Sequence, residues 1–230
     1  MRHSLILFLF ACLSSLAVDP HLSSPTTPKN PAGGHAVTSD LTPQQKAKEE
    51  YEKARKDQGG CLWRDEDWKK SETDADYKAL MDRICQAEAI AIEKTNQDRK
   101  KYCKNPLILD QRLSYVSRLN AIRLIREGGV RNSNPHSAWY QGLPQKWFKD
   151  FFPAASSVMK FERENMWGMG GGPQLQSMAS DRLASQAVSS WIHSSGHHAP
   201  MIDCNNRYVG VGFSYDPKRS EWLGFMSFAE

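Results

Sequence analysis

Residues 187–202 read Ala187-Val-Ser-Ser-Trp-Ile-His-Ser-Ser-Gly-His-His-Ala-Pro-Met-Ile202, and their reading decides the rest. Leu183, Ala184, Ala187, Val188, Trp191 and Ile192 fall on one stripe of a helix. Gly196 stands where a left-handed C-cap is expected, because it has no Cβ to clash there. His197 is then expected to leave the helix on a turned backbone, aimed as a ligand, a base or a hydrogen-bonding strut. His193 lies off the stripe and reads as exposed.

Two strands follow. In residues 208–215, Val209, Val211, Phe213 and Tyr215 share one face. Gly210 and Gly212 lie on the other, leaving room for a packed helix. Residues 216–220 read as a turn and 221–228 as the return strand. That strand is apolar on both faces, with Leu223 and Phe225 opposite Trp222, Met226 and Phe228. A strand covered on both sides implies helices above and below its sheet. The expected fold class is therefore α+β, an α-β-α sandwich with a small antiparallel sheet between helices.

Working back toward the N-terminus, 158–166 reads as a strand and 168–173 as a glycine-rich turn. No Gly-Lys-Ser/Thr follows those glycines, so they are not a phosphate loop. Residues 143–151 form a short helix with Pro144 near its start. Asp110 is an N-cap for a helix over 111–127, which Gly128-Gly129 stops. A longer helix begins at Asp74 and buries Tyr77, Leu80, Met81, Ile84, Ala87 and Ala91. Leu107-Ile108-Leu109 is an apolar link.

The chain opens on Arg2 and His3, an apolar run over 5–13, and Ser15-Leu16-Ala17. This predicts a secretory signal peptide over 1–17. The run is too short to cross a bilayer, which takes roughly 20 apolar residues. Residues 18–41 are poor in large apolar groups and read as a disordered leader. Residues 42–72 read as a charged helical extension, with Thr42 as N-cap and Gln45 at the capping-box position. Cys61-Leu62-Trp63 and Trp68 are the groups that would dock it on the main domain, 73–230.

The formal charge is +4, with basic and acidic residues interleaved. That describes a solvated surface and predicts no nucleic-acid partner. Cys61, Cys85, Cys103 and Cys204 remain after signal removal, an even set that predicts two disulfides with three pairings open. No N-x-Ser/Thr sequon occurs. A secreted, extracellular protein without a transmembrane segment is expected.

Several motifs, in order, resemble the CAP superfamily: cysteine-rich secretory proteins, antigen 5 and pathogenesis-related proteins, also called the SCP domain. Asn96-Gln-Asp-Arg99 resembles the family's N-x-x-R. Pro106-Leu-Ile-Leu-Asp110 is similar to its link into the second helix. Pro135-His136-Ser137 is similar to the loop bearing its first cleft histidine. Glu164-Asn165-Met166 resembles G-E-N-I, with Arg163 for the glycine and Met166 for the isoleucine. Trp191-Ile-His-Ser-Ser-Gly-His197 resembles W-x-x-S-P-G-H of the bacterial-type short form, the nearest pattern. Tyr208 to Gly212 is similar to its Y-x-G-V-G strand. Where animal and plant members carry a second glutamate, this chain has Ser194. Ser195 replaces the proline and Pro200 the following asparagine.

The resemblance implies that His136, Glu164 and His197 share a cleft, with Asn165, Ser194 and His198 in support. It assigns Asn96 and Arg99 to structural bracing. Two imidazoles and a carboxylate can hold a divalent metal such as zinc, or act as an acid/base pair, or simply hydrogen-bond one another. Trp139, Tyr140, Trp147, Phe148, Phe151 and Phe152 read as core, or as the wall for a lipid or sterol that the resemblance implies for some members. Binding of a metal, a small apolar ligand or an extracellular protein, without turnover, is the first expectation. The alternatives are a metal-assisted, peptidase-like hydrolase using the same cleft, and an interaction module working through residues 43–70. Against hydrolysis, no serine or cysteine is an evident nucleophile beside a histidine.

Overall fold

The computed structural model describes Thr42, Gln45 and residues 60–152 and 159–230. The expected signal peptide, the leader and the charged helix over 43–57, apart from Gln45, lie outside the described residues. Thr42 and Gln45 form the expected reciprocal cap: Thr42 N–H donates to Gln45 Oε1 (2.7 Å), and Gln45 N–H donates to Thr42 Oγ1 (3.3 Å).

Along the chain come α1 (Asp65–Thr73), α2 (Ala75–Arg99), β1 (Ile108–Leu109), α3 (Gln111–Arg126), α4 (Ser137–Tyr140) and α5 (Leu143–Phe151). Then follow β2 (Phe161–Gly170), α6 (Ser180–Ile192), α7 (Ser195–Ile202), β3 (Tyr208–Asp216) and β4 (Glu221–Ala229). Asp74 caps α2 by accepting from Tyr77 N–H at 2.9 Å. Asp110 caps α3 by accepting from Arg112 N–H at 2.9 Å.

The sheet has the order β1-β3-β4-β2. Its three long strands are antiparallel, as expected, but the apolar link at Ile108–Leu109 adds a short parallel strand beside Tyr208 and Val209. The sheet is therefore mixed. One face packs Val209, Val211, Phe213, Trp222, Met226 and Phe228 against α2 and α6. The other packs Leu223 and Phe225 against Ala121 and Leu124 of α3. Strand β2 extends through Gly168 and Gly170, which were expected in a turn. It pairs with β4 as far as Gly170 opposite Glu221. A Cβ on Gly168 would meet Val130 Cγ1 at 2.7 Å and Leu223 Cδ2 at 2.9 Å, so glycine is what lets the strand continue there.

Helix α3 lies directly on β3. A Cβ on Gly210 would sit 2.2 Å from Ser114 N, and one on Gly212 would sit 2.1 Å from Arg118 N. Only two residues of β3 pair with β1, so its edge finds other partners. Ser114 Oγ accepts from Val211 N–H (3.1 Å), and Glu88 Oε1 accepts from Phe213 N–H (3.0 Å). Burial pushes the Glu88 carboxyl above its ordinary value, while the Arg118 guanidinium acts the other way. Arg118 also donates to Leu62 O and lies 3.9 Å from the centre of the Trp63 ring.

Cys61, Leu62 and Trp63 are buried. Cys61 and Trp63 join the core cluster of α2, α6 and the sheet, and Leu62 joins that of α3 and α5. The disulfides are Cys61–Cys85 and Cys103–Cys204. Both fit an oxidising compartment. Among the described residues, no helix is long and apolar enough to cross a membrane.

Gly196 is not a left-handed cap. Helix α6 ends at Ile192, and Gly196 belongs to the first turn of α7 with ordinary helical backbone. Ser194 O accepts from both His197 N–H (3.0 Å) and His198 N–H (2.8 Å). A second helix thus starts where one was expected to stop. Gly212→Ala should lower unfolding stability by about 3 kcal/mol or more in a denaturant titration, because backbone lies where the new Cβ must go. Gly196→Ala, with nothing within 4 Å of its Cβ position, should leave stability within about 1 kcal/mol of wild type or raise it.

Candidate functional site

The two histidines enter from different layers. His136 ends the loop after α3 and sits at the N-cap of α4. Arg123 fastens that loop by donating to Pro135 O (3.3 Å) and Ser137 Oγ (3.3 Å). His197 sits in the first turn of α7. The buried amide of Asn165 holds its backbone, Nδ2–H donating to His197 O at 2.8 Å. Successive residues of a strand face opposite ways. Glu164 therefore points toward α3 and His136, while its neighbour Asn165 points toward α7.

His136 Nδ1 lies 3.2 Å from Glu164 Oε1, and Asn120 Nδ2–H donates to Glu164 Oε2 at 2.9 Å. The Glu164 side chain is 2% exposed against 29% for His136. The imidazole rings of His136 and His197 are 6.3 Å apart, centre to centre. The structure thus brings His136, Glu164 and His197 together beside the edge strand β2.

Burial drives the electrostatics. It pushes the Glu164 carboxyl above its ordinary value, partly offset by its hydrogen bonds with His136 and Asn120. Burial also lowers His197, and the neighbouring His136 adds to that effect. A lowered imidazole favours the neutral form that can ligate a metal.

His198 does not join the cleft. Helical neighbours diverge by about 100°, so His198 turns toward α2. There its Nε2 lies 2.6 Å from Asp98 Oδ2 and its ring meets Tyr102 edge-on. Ser194 serves through its carbonyl as the start of α7, and no side-chain cap bond is formed.

Asn96 and Arg99 both tie α2 to neighbouring backbone. Asn96 exchanges two hydrogen bonds with the Leu107 backbone. Arg99 is 1% exposed and donates to the carbonyls of Asn105, Met201, Asp203 and Asn206. Of the aromatic segment, Phe148 and Phe152 are core, and Phe148 and Trp139 both contact the Phe161 ring. Tyr140 and Phe151 are exposed.

Sequence reasoning missed Asn120 and Arg123. The signal was present: Asn120 falls on the apolar stripe Leu113, Val116, Ala121 and Leu124, where a polar side chain must find a partner.

The donor set can be weighed against zinc. Among the described residues, no group of three or more His, Cys, Asp or Glu side chains is arranged to hold a metal ion. Both Glu164 oxygens are already engaged. What fits is a pair of imidazole nitrogens, with Glu164 as the carboxylate behind one of them, an arrangement common around ligating histidines.

The family model described as "Cysteine-rich secretory protein family" (CAP) matches residues 92–227. The chain belongs to the CAP family. No curated protein matches it. Among solved structures, it is similar to an outer surface protein from Borrelia burgdorferi. That match has 15% identity and a TM-score of 0.39, and it covers 69% of this chain and 94% of that one. The CAP match starts inside α2, so the packed segment 60–91 lies outside it.

The charge states make a stability prediction. His197 has a folded pKa below its unfolded value, so the unfolded chain binds more protons once pH falls below about 6.5. In chelator-treated protein, His197→Gln should flatten the loss of stability on acidifying through that range. Glu164 works in the opposite sense, because its folded pKa lies above the ordinary 4.5. It withdraws stability as pH rises past that point, so Glu164→Gln should raise Tm at neutral pH and lose its advantage in acid. Unchanged pH profiles in both variants would contradict the assignment.

Proposed function

We propose that this CAP domain works outside the cell as a binding protein, and that the cleft holds a divalent cation, zinc by its donor chemistry, through His136 and His197. The observation that carries the reading is the buried Glu164 behind His136, with the His197 ring 6.3 Å from that of His136. With Nδ1 turned to a carboxylate, His136 has Nε2 left for a ligand. His197 is biased to its neutral form. Two protein nitrogens leave coordination positions for water or for an exogenous oxygen donor, which a bound cation would polarise.

The two disulfides and the sequence's signal-like start support the extracellular placement. Binding is favoured over turnover because all four cysteines among the described residues are in disulfides. No serine hydroxyl is hydrogen-bonded to His136 or His197 among the described residues.

Metal analysis of the dialysed protein should give about one zinc per chain. His136→Ala combined with His197→Ala should abolish binding, and Glu164→Gln should weaken it by about 10- to 100-fold while the fold is kept. Equal zinc in wild type and double variant, or none in either, would overturn the reading.

A further inference from the structure

The carboxylate behind His136 is itself held by a chain of side chains that starts at Arg123. Arg123 Nε–H donates to Asn120 Oδ1 at 2.9 Å, and Asn120 Nδ2–H donates to Glu164 Oε2 at 2.9 Å. Glu164 Oε1 faces His136 Nδ1 at 3.2 Å. The order of donors along this chain is forced. A guanidinium can only donate, so the Asn120 amide must turn its oxygen to Arg123. Its NH2 must then face Glu164, and Glu164 Oε2 must be an acceptor. Asn120 is 1% exposed, so water does not compete for that amide.

We propose that Asn120, oriented by Arg123, is a positioning residue that holds Glu164 as the acceptor for His136 Nδ1–H and so directs the Nε2 lone pair of His136 into the cleft. Arg123 acts twice. The same guanidinium that orients Asn120 also holds Pro135 O and Ser137 Oγ, on either side of His136. The rotation of the carboxylate and the position of the imidazole therefore have one origin on α3. The polar line Asn120–Arg123 runs along the helix that Gly210 and Gly212 seat on β3, so the setting of the cleft is built into the packing of the sheet.

The inference deepens the zinc-binding reading, but its first readout does not depend on metal. Long-range 1H–15N correlation spectra of the chelator-treated protein at about pH 8, where imidazoles are neutral, report which nitrogen of His136 carries the proton. Wild type should show the Nδ1–H tautomer. Asn120→Asp keeps an acceptor for Arg123 but removes the donor to Glu164, and Arg123→Gln frees the amide to turn. Both should shift His136 to a mixture containing the Nε2–H form. Both should also weaken zinc binding by about tenfold or more, with circular dichroism unchanged. His136 remaining wholly Nδ1–H in both variants would overturn the proposal, as would an Nε2–H tautomer in wild type. Should wild type bind no zinc, the binding reading fails while the tautomer shift still decides this one. The Arg123 side chain is 13% exposed, more than that of the fully buried Asn120, so its variant provides the test if Asn120→Asp does not fold.

Discussion

The structure depends on the approach of α3 to β3. Two glycines, each flanked by core-facing valine or phenylalanine, let helix backbone and strand backbone come within side-chain-free distance. That contact does more than fill space. It brings Ser114 to the unpaired edge of β3, and it sets Arg118 against Glu88, whose carboxylate closes the next edge group. One buried ion pair thus ties together α2, α3, β3 and the Leu62-Trp63 segment. Such a pair adds little stability over apolar packing, but breaking it leaves an uncompensated buried charge. It specifies the arrangement more than it strengthens it. With α3 placed, its next turn delivers Asn120 and Arg123 to the rear of the cleft.

The other wall is set by a second guanidinium. Arg99 gathers four backbone carbonyls, one from the last turn of α7 and two from the stretch between α7 and β3. The Cys103–Cys204 bridge closes the same junction. Helix α7 is short and contains Pro200, so it has little stability of its own. It stays in place because Arg99, Asn206 and Asn165 take up its carbonyls. His197 is thereby fixed through its backbone, whereas His136 is fixed through its ring. That asymmetry means the two imidazoles respond to different supports.

Much of this was legible in the residues. The alternation of valine and glycine in β3 told which face a helix must cover, and the two-sided apolarity of β4 told that both faces are covered. The caps at Thr42 and Asp110, the helix start at Asp74 and the motifs around His136, Glu164 and His197 were equally plain. The parallel strand at Ile108–Leu109 was not, since two residues carry no period. Gly196 misled because a glycine after an apolar stripe suits both a helix end and the first turn of a new helix. The carbonyl of Ser194 decided for the second. His198 could not be placed from sequence, because its partner Asp98 lies 100 residues away. Asn120 and Arg123 were not singled out, although Asn120 sits on the apolar stripe, where a polar group needs a partner.

The most direct test of the account is anomalous diffraction at the zinc edge from crystals of the purified protein. The account predicts a peak whose protein ligands are the His136 and His197 imidazoles, with Glu164 bonded to the far nitrogen of His136. A zinc peak bound elsewhere, or an empty cleft with the two rings turned apart, would contradict it.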